Sequence, residues 1–248
     1  MDIHVISIFP DMFKAVTEQG VVGRAIQQDI LSLSIYNPRD FANNKYRKVD
    51  DRPFGGGPGM VMMPEPLVKA IGAAKSASLE KDSGPPKVVY LSPQGARFDH
   101  ARAQQVVQQQ SVILLAGRYE GIDERVIEHY VDEEWSVGDF VLSGGELPAM
   151  LVIDAVARLL PLSLGNSESA EQDSFAQGLL DCPHYTRPES FAGTSVPSVL
   201  IGGDHKAIQR WRMQQSLGRT WLRRPDLIDK IDLTDEQVQL LDDFNKDL

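Results

Sequence analysis

The first two-thirds of the chain alternates short runs of β-branched and aliphatic residues with helix-period stretches, and this constrains the fold more than any other feature. The strand-like runs are Ile3–Phe9, Leu31–Tyr36, Lys87–Leu91 and Val112–Ala116, with a weaker one at Glu134–Val137. Between them the spacing predicts helices over Val22–Gln28, Pro64–Lys75, Asp99–Gln109 and Ile122–Tyr130. Strands alternating with helices imply an α/β fold with a mostly parallel sheet covered on both faces. After Gly145 a long amphipathic helix, Glu146–Leu160, ends before Pro161.

The pattern then changes. Gly165–Gly178 is polar and Ser-rich, has no apolar period and reads as a flexible linker. Beyond it the signal is all helical, over Asp204–Leu217 and again after Thr234, where TDEQ forms a capping box ahead of Val238, Leu241 and Phe244. The expected division is an α/β domain at 1–164, a linker at 165–181 and a small helical domain at 182–248, with no internal repeat.

A net charge of −10 argues against a nucleic-acid partner, but the charge is unevenly spread. Lys206, Arg210, Arg212, Arg219, Arg223, Arg224 and Lys230 face only Asp226 and Asp229 across that stretch, and Trp211 and Trp221 lie among them. Cations interleaved with aromatics suit phosphate contact and base stacking, whereas the plainer alternative is a solvated helix face carrying two core tryptophans. The single cysteine, Cys182, can make no internal disulfide and favours a reducing compartment. No apolar run approaches the roughly 18–20 residues of a membrane span, and MDIHVISIFP has no basic region before its apolar stretch. A cytoplasmic location with no membrane partner is expected.

In an open parallel sheet, ligands bind beyond the carboxyl ends of the strands. Three Gly-containing loops are predicted there: Ser92–Gly95 after Leu91, Gly117–Gly121 after Ala116, and the segment from Ser136 to Pro148. None matches a phosphate cradle, since neither G-x-x-x-x-G-K-[ST] nor a strand-to-helix G-x-G-x-x-G occurs. Each alone could be a plain turn; together they describe a pocket lined by main chain. A fourth segment, Asp50–Met60, holds four glycines and two prolines and reads as a wall or lid on the substrate side.

These segments resemble the bacterial tRNA (guanine-N1)-methyltransferase family, TrmD, of the SPOUT class. The matching motifs are VDDRPFGGGPGM (Val49–Met60), YLSPQG (Tyr90–Gly95), GRYEGIDERV (Gly117–Val126) and SVGDFVLSGGELPA (Ser136–Ala149). They continue through DSFAQGLLDCPHYTRP (Asp173–Pro188) and RWRMQQSLGRTWLRRP (Arg210–Pro225), in order across nearly the whole chain. The resemblance implies a deep trefoil knot in the C-terminal part of the α/β domain, a homodimer with its active site at the subunit interface, and S-adenosylmethionine as methyl donor. It implies donor contacts at Tyr90, Leu91, Ser92, Pro93, Gln94, Gly95, Gly117 and Glu120. Further implied contacts are Val137, Gly138, Asp139, Phe140, Val141, Leu142, Gly144, Gly145 and Pro148. The implied substrate is the guanosine immediately 3′ of the anticodon, in tRNAs where another guanosine precedes it. Asp50, Gly59, Ser174, His184 and Arg187 are the implied substrate-side residues.

Guanine N1 carries a proton and its lone pair is delocalised, so methylation there needs a base and a group that stabilises charge growing on O6. The resemblance places these roles on Asp173 and Arg158, with Ser174 helping to position the base. Arg158 also lies four residues after Asp154, an ordinary helix ion-pair spacing, and the two roles are compatible. A Cys182/His184 nucleophile pair is disfavoured, because near-adjacent loop positions define no base geometry. The resemblance associates activity with Mg²⁺, for which Glu120 is the candidate ligand, though no ligand cluster in the sequence marks such a site. The rival readings are another knotted RNA methyltransferase acting on a ribose 2′-hydroxyl, and a non-catalytic RNA-binding module.

Overall fold

The apolar runs pair as expected: β1 (Asp2–Ile6), β2 (Ser32–Tyr36), β3 (Lys87–Arg97), β4 (Ser111–Leu115) and β5 (Glu133–Ser136) form one sheet in the order β2-β1-β4-β3-β5. Every pairing is parallel, with Ile3 opposite both Leu33 and Val112, and Val88 opposite Ile113. The computed structural model describes residues 1–81, 84–163 and 173–246, which divide into two units, Met1–Asn166 and Ser167–Leu248. The expected domain boundary at 164/165 and linker residues 165–172 lie outside the described residues.

In the first unit α1 (Gly20–Gln27), α2 (Pro64–Glu80), α3 (His100–Val107), α4 (Glu124–Tyr130) and α5 (Glu146–Leu159) follow the strands. Successive strand side chains alternate between faces, so one chain of apolar residues feeds two cores. Ile3, Val5, Val89 and Leu114 pack with Phe13 and with Val152, Ile153 and Val156 of α5. Ile6, Val88, Ile113 and Leu115 pack on the other face with Leu67 and Ile71 of α2 and Val126 of α4. Strand β4 is buried at all five positions, as a central strand covered on both sides must be. The Asp99 carboxylate caps α3 by accepting from the Arg102 N–H at 2.9 Å.

One strand differs from expectation. β3 does not stop at Leu91: its pairing with β5 resumes at Ala96 opposite Trp135, leaving Ser92–Gly95 as a bulge within the strand. Ser-Pro-Gln-Gly reads as a turn locally, but two further pairings to β5 extend the ladder beyond it.

His4 sits on β1 almost completely buried, with Nδ1 3.3 Å from the Tyr36 hydroxyl and Nε2 without a hydrogen-bond partner. Burial pushes its pKa below the usual 6.5, outweighing the opposing pull of Asp2. The unfolded chain therefore binds more protons below that pH, and the native state loses stability as pH falls through 6.5, by up to about 1.4 kcal/mol per unit. Thermal melts of His4→Gln should show this acid slope reduced; a slope identical to that of the unsubstituted protein would refute the assignment.

In the second unit α6 (His205–Arg223) and α7 (Asp235–Lys246) carry a small core of Leu179, Leu217 and Leu240. The unit is not all helical as expected: Ser190–Phe191 pairs antiparallel with Thr194–Ser195 across a turn in which Ala192 and Gly193 both hold positive φ. The capping box forms as read: Thr234 Oγ1 accepts from the Gln237 N–H at 3.3 Å, and the Thr234 N–H donates to Gln237 Oε1 at 2.9 Å. Gly218 on α6 lies so close to the Phe244 ring that a side chain there would collide, which sets how tightly the helices approach. Helix α6 runs six residues past the expected Leu217, because Leu217, Gly218 and Thr220 are the buried positions that hold it. Trp211 is half-buried and Trp221 is 41 % exposed, so these tryptophans are not both core residues.

Residues 173–181 belong to this second unit. The Phe175 N–H donates to the Leu179 carbonyl at 2.7 Å, and the Leu180 N–H to Thr220 Oγ1 on α6 at 2.9 Å. Among the described residues no helix is long and apolar enough to cross a membrane.

Candidate functional site

Three chain segments leave the sheet edge side by side: the β3 bulge, the turn after β4, and the segment after β5 that leads into α5. Their close approach depends on glycines. The Gly145 N–H donates to the Gly117 carbonyl at 2.9 Å, and a Cβ on Gly145 would lie 2.6 Å from Ala116 Cα. A Cβ on Gly117 would lie 2.8 Å from the Tyr90 ring. Gly138 holds φ at +147°, beside Ser136 Oγ, which donates to its carbonyl at 3.1 Å.

These segments enclose one pocket. All the residues implied as donor contacts line it except Gln94, Gly95 and Asp139. Gln94 turns its N–H to Ser92 Oγ at 3.1 Å, and Gly95 packs directly on the Glu134 backbone of β5. Arg118, Tyr119, Gly121 and Ser136, which belong to the predicted loops but not to the implied donor contacts, also line the pocket, as does Trp135, which the sequence reading left out. The walls combine exposed main chain with Leu91, Pro93, Val137, Leu142 and Pro148, which suits a flat heteroaromatic ring held by backbone polar groups. Tyr90 is almost buried, and desolvation, then Glu134 and Glu124, push its phenol pKa up, so it presents a protonated ring face.

Arg118 is the only basic side chain in this lining, and it is committed elsewhere. Its Nε donates to Glu146 Oε2 at 2.7 Å, one Nη to the Ser143 carbonyl at 3.1 Å, and its guanidinium stands 4.5 Å over the Phe9 ring. Glu146 is completely buried, and its other oxygen accepts from Ser7 Oγ at 2.7 Å. This network ties the end of β1, the turn after β4 and the start of α5 together. The single cation of the lining is thus already paired, and the sequence around it holds neither phosphate-cradle motif.

The glycine-rich segment abuts the pocket rim. Asp50–Asp51 pairs antiparallel with Val61–Met62, and Gly55, Gly56, Gly57 and Gly59 all adopt positive φ. Gly59 lies against the Glu120 side chain, with no room for a Cβ, and the Glu120 N–H donates to the Met60 carbonyl at 3.0 Å. Asp50 hydrogen-bonds Tyr119, whose phenol pKa is raised by burial and then by that carboxylate. Tyr119 holds φ at +62°, a conformation unusual outside glycine, on the loop that lines the pocket.

The remaining implied residues are not among those that line the pocket. Arg158 is half-buried in the last turn of α5. About 15 Å of helix separates it from Pro148, at roughly 1.5 Å rise per residue. Asp173, Ser174, His184 and Arg187 belong to the second unit. Ser174 Oγ accepts from the Asp181 N–H at 3.0 Å, and the Asp181 carboxylate meets His184 Nε2 at 2.7 Å. Arg187 is exposed. Among the described residues, Asp181, Cys182 and His184 are the group whose ligand atoms come within 4.8 Å of one another, and Glu120 is not among them.

The sequence matches the profile of the tRNA (Guanine-1)-methyltransferase TrmD family over residues 1–230. It is 61 % identical over 244 residues to a protein of Idiomarina loihiensis named tRNA (guanine-N(1)-)-methyltransferase, covering 98 % of this chain and 95 % of that one. Proteins of the same name from Pseudoalteromonas atlantica and Vibrio cholerae are 60 % and 58 % identical. The former match covers 98 % of this chain and 91 % of its relative, the latter 100 % and 98 %. A match of this extent, over a chain whose glycine-held loops meet at one parallel-sheet edge, places the protein in the tRNA (guanine-N1)-methyltransferase family, TrmD.

Proposed function

We propose that the chain transfers a methyl group from S-adenosylmethionine to N1 of the guanosine immediately 3′ of the anticodon in tRNA, where another guanosine precedes it. The observation that carries this reading is the main-chain-lined pocket without a phosphate cradle, in a chain of this family. When bound, the donor supplies a methyl carbon on a positively charged sulfur, so a neutral thioether leaves as the carbon–N1 bond forms.

The chain's own residues supply the rest. Asp173 takes the N1 proton, and Arg158 balances the negative charge that grows on O6. Asp50 and Gly59, set against Tyr119 and Glu120, form the wall on which the guanine is read, with Ser174, His184 and Arg187 on the tRNA side. Glu120 is the carboxylate that would hold Mg²⁺, a hard cation suited to oxygen donors.

We further propose that the working form is a homodimer with the active site at the subunit interface. Two observations support this. Arg158 lies ten residues, about 15 Å of helix, beyond Pro148 of the pocket lining, and α5 exposes Leu147 and Leu151, one turn apart on one face. We also infer the trefoil knot of the SPOUT class, a reading supported by the close packing of Gly144 and Gly145 on Arg118, Ala116 and Gly117. The test is methyl transfer to a tRNA transcript against one carrying adenosine at the target position, with the product mapped by mass spectrometry. Modification of the guanosine transcript alone, on the base, is expected. A methyl group on ribose would favour the 2′-hydroxyl chemistry instead.

A further inference from the structure

Residues 39–59 supply Asp50 and Gly59 to the chemistry above, but they also expose side chains that it does not use. Tyr46 is 85 % exposed and Phe54 fully exposed, the two most exposed aromatic side chains among the described residues. Neither is left out by accident of a loose loop. The Asn44 side chain accepts from the Lys48 N–H at 2.8 Å and donates to the Lys48 carbonyl at 2.9 Å, closing a turn with Tyr46 at its tip. Arg39 and Arg47 each hydrogen-bond the other's carbonyl, at 3.3 and 3.1 Å, and Arg47 pairs with Asp40. Phe54 follows Pro53 directly, on a turn closed by the Gly56 N–H to the Pro53 carbonyl at 3.3 Å. The positive φ of Gly55, Gly56 and Gly57 carries the backbone away from it.

This surface is continuous with the pocket rim. Gly59 rests on Glu120, and an Arg39 Nη reaches the Tyr119 hydroxyl at 3.5 Å. Its charge runs against that of the whole chain. Arg39, Lys45, Arg47, Lys48 and Arg52 outnumber Asp40, Asp50 and Asp51, in a protein of net charge −10. Solvent-facing aromatic faces bracketed by cations match unpaired nucleotides, whose bases stack and whose phosphates need positive partners.

We propose that Tyr46 and Phe54 are stacking side chains for unpaired nucleotides flanking the target base, with the neighbouring cations holding the phosphates between them. This rests on tRNA being the substrate and adds a recognition surface to the α/β domain. The full-length chain is compared with Tyr46→Ala, Phe54→Ala, Phe54→Leu and Phe54→Trp for tRNA affinity, donor affinity and oligomeric state. Each alanine variant is expected to weaken tRNA binding about ten- to a hundredfold, with donor affinity and assembly unchanged. Phe54→Trp should bind as the unsubstituted chain does, whereas Phe54→Leu, apolar but without a ring face, should fail like alanine.

The proposal is overturned if the double alanine variant binds tRNA normally, if leucine serves as well as phenylalanine, or if the variants dissociate, since a second copy would then be the occupant. An unsubstituted chain that methylates no tRNA would instead sink the functional reading itself. A methylating chain with indifferent variants would sink only the stacking surface.

Discussion

Replacing Asp173 by asparagine is expected to lower the rate of methyl transfer roughly 10²–10⁴-fold, the usual worth of a positioned general base. Asparagine keeps the size and hydrogen-bonding reach of the side chain but cannot take the N1 proton. The loss should therefore fall on kcat, with donor affinity unchanged, because Asp173 is not among the residues that line the proposed donor pocket. Single-turnover methylation with saturating donor and tRNA isolates the step. Full turnover by Asp173→Asn would remove the base assignment, and thermal melts would show whether a loss reflects unfolding.

The second large effect concerns stability. Arg118→Ala leaves the Glu146 carboxylate wholly buried with Ser7 as its remaining partner. Removing one member of a buried pair costs about 3–5 kcal/mol, because the other charge stays desolvated and uncompensated. For a unit of this size that corresponds to a fall in Tm of roughly 6–20 °C. The double variant Arg118→Met/Glu146→Gln buries no charge and should recover most of the loss, which a melt of all three proteins would test. If Arg118→Ala melts with the unsubstituted chain, the network does not hold the pocket segments together. Donor affinity should fall in Arg118→Ala as well, since the Ser143 carbonyl loses its donor and the segment before α5 loses its anchor.

Much of the fold was legible because its causes are local. The strand runs, the helix of Glu146–Leu159 and the Thr234–Gln237 box each depend on residues within a few positions of one another. The glycine loops were legible for the same reason, since neighbouring residues mark where the chain turns. Legibility failed where a distant partner decided the outcome. Ser92–Gly95 looks like a terminating turn, yet β5, about forty residues on, extends the strand past it. Arg118 carried no assignment because its partner Glu146 is 28 residues away. The basic stretch after Lys206 was ambiguous from sequence. In the structure Arg210 pairs with Glu236 and Asp243, and Arg224 with Asp226, while Trp221 stays at the surface.

The sequence by itself determined the class of fold, the family and the sites where glycine frees the backbone, because side-chain period and turn chemistry act over a few residues. Only the tertiary structure decided that Ser7, Arg118 and Glu146 meet. A hydrogen bond spanning 139 residues leaves no trace in local spacing and forms only once two cores have brought the strand ends together. The same packing set Gly59 on Glu120 and left Tyr46 and Phe54 facing solvent beside the rim.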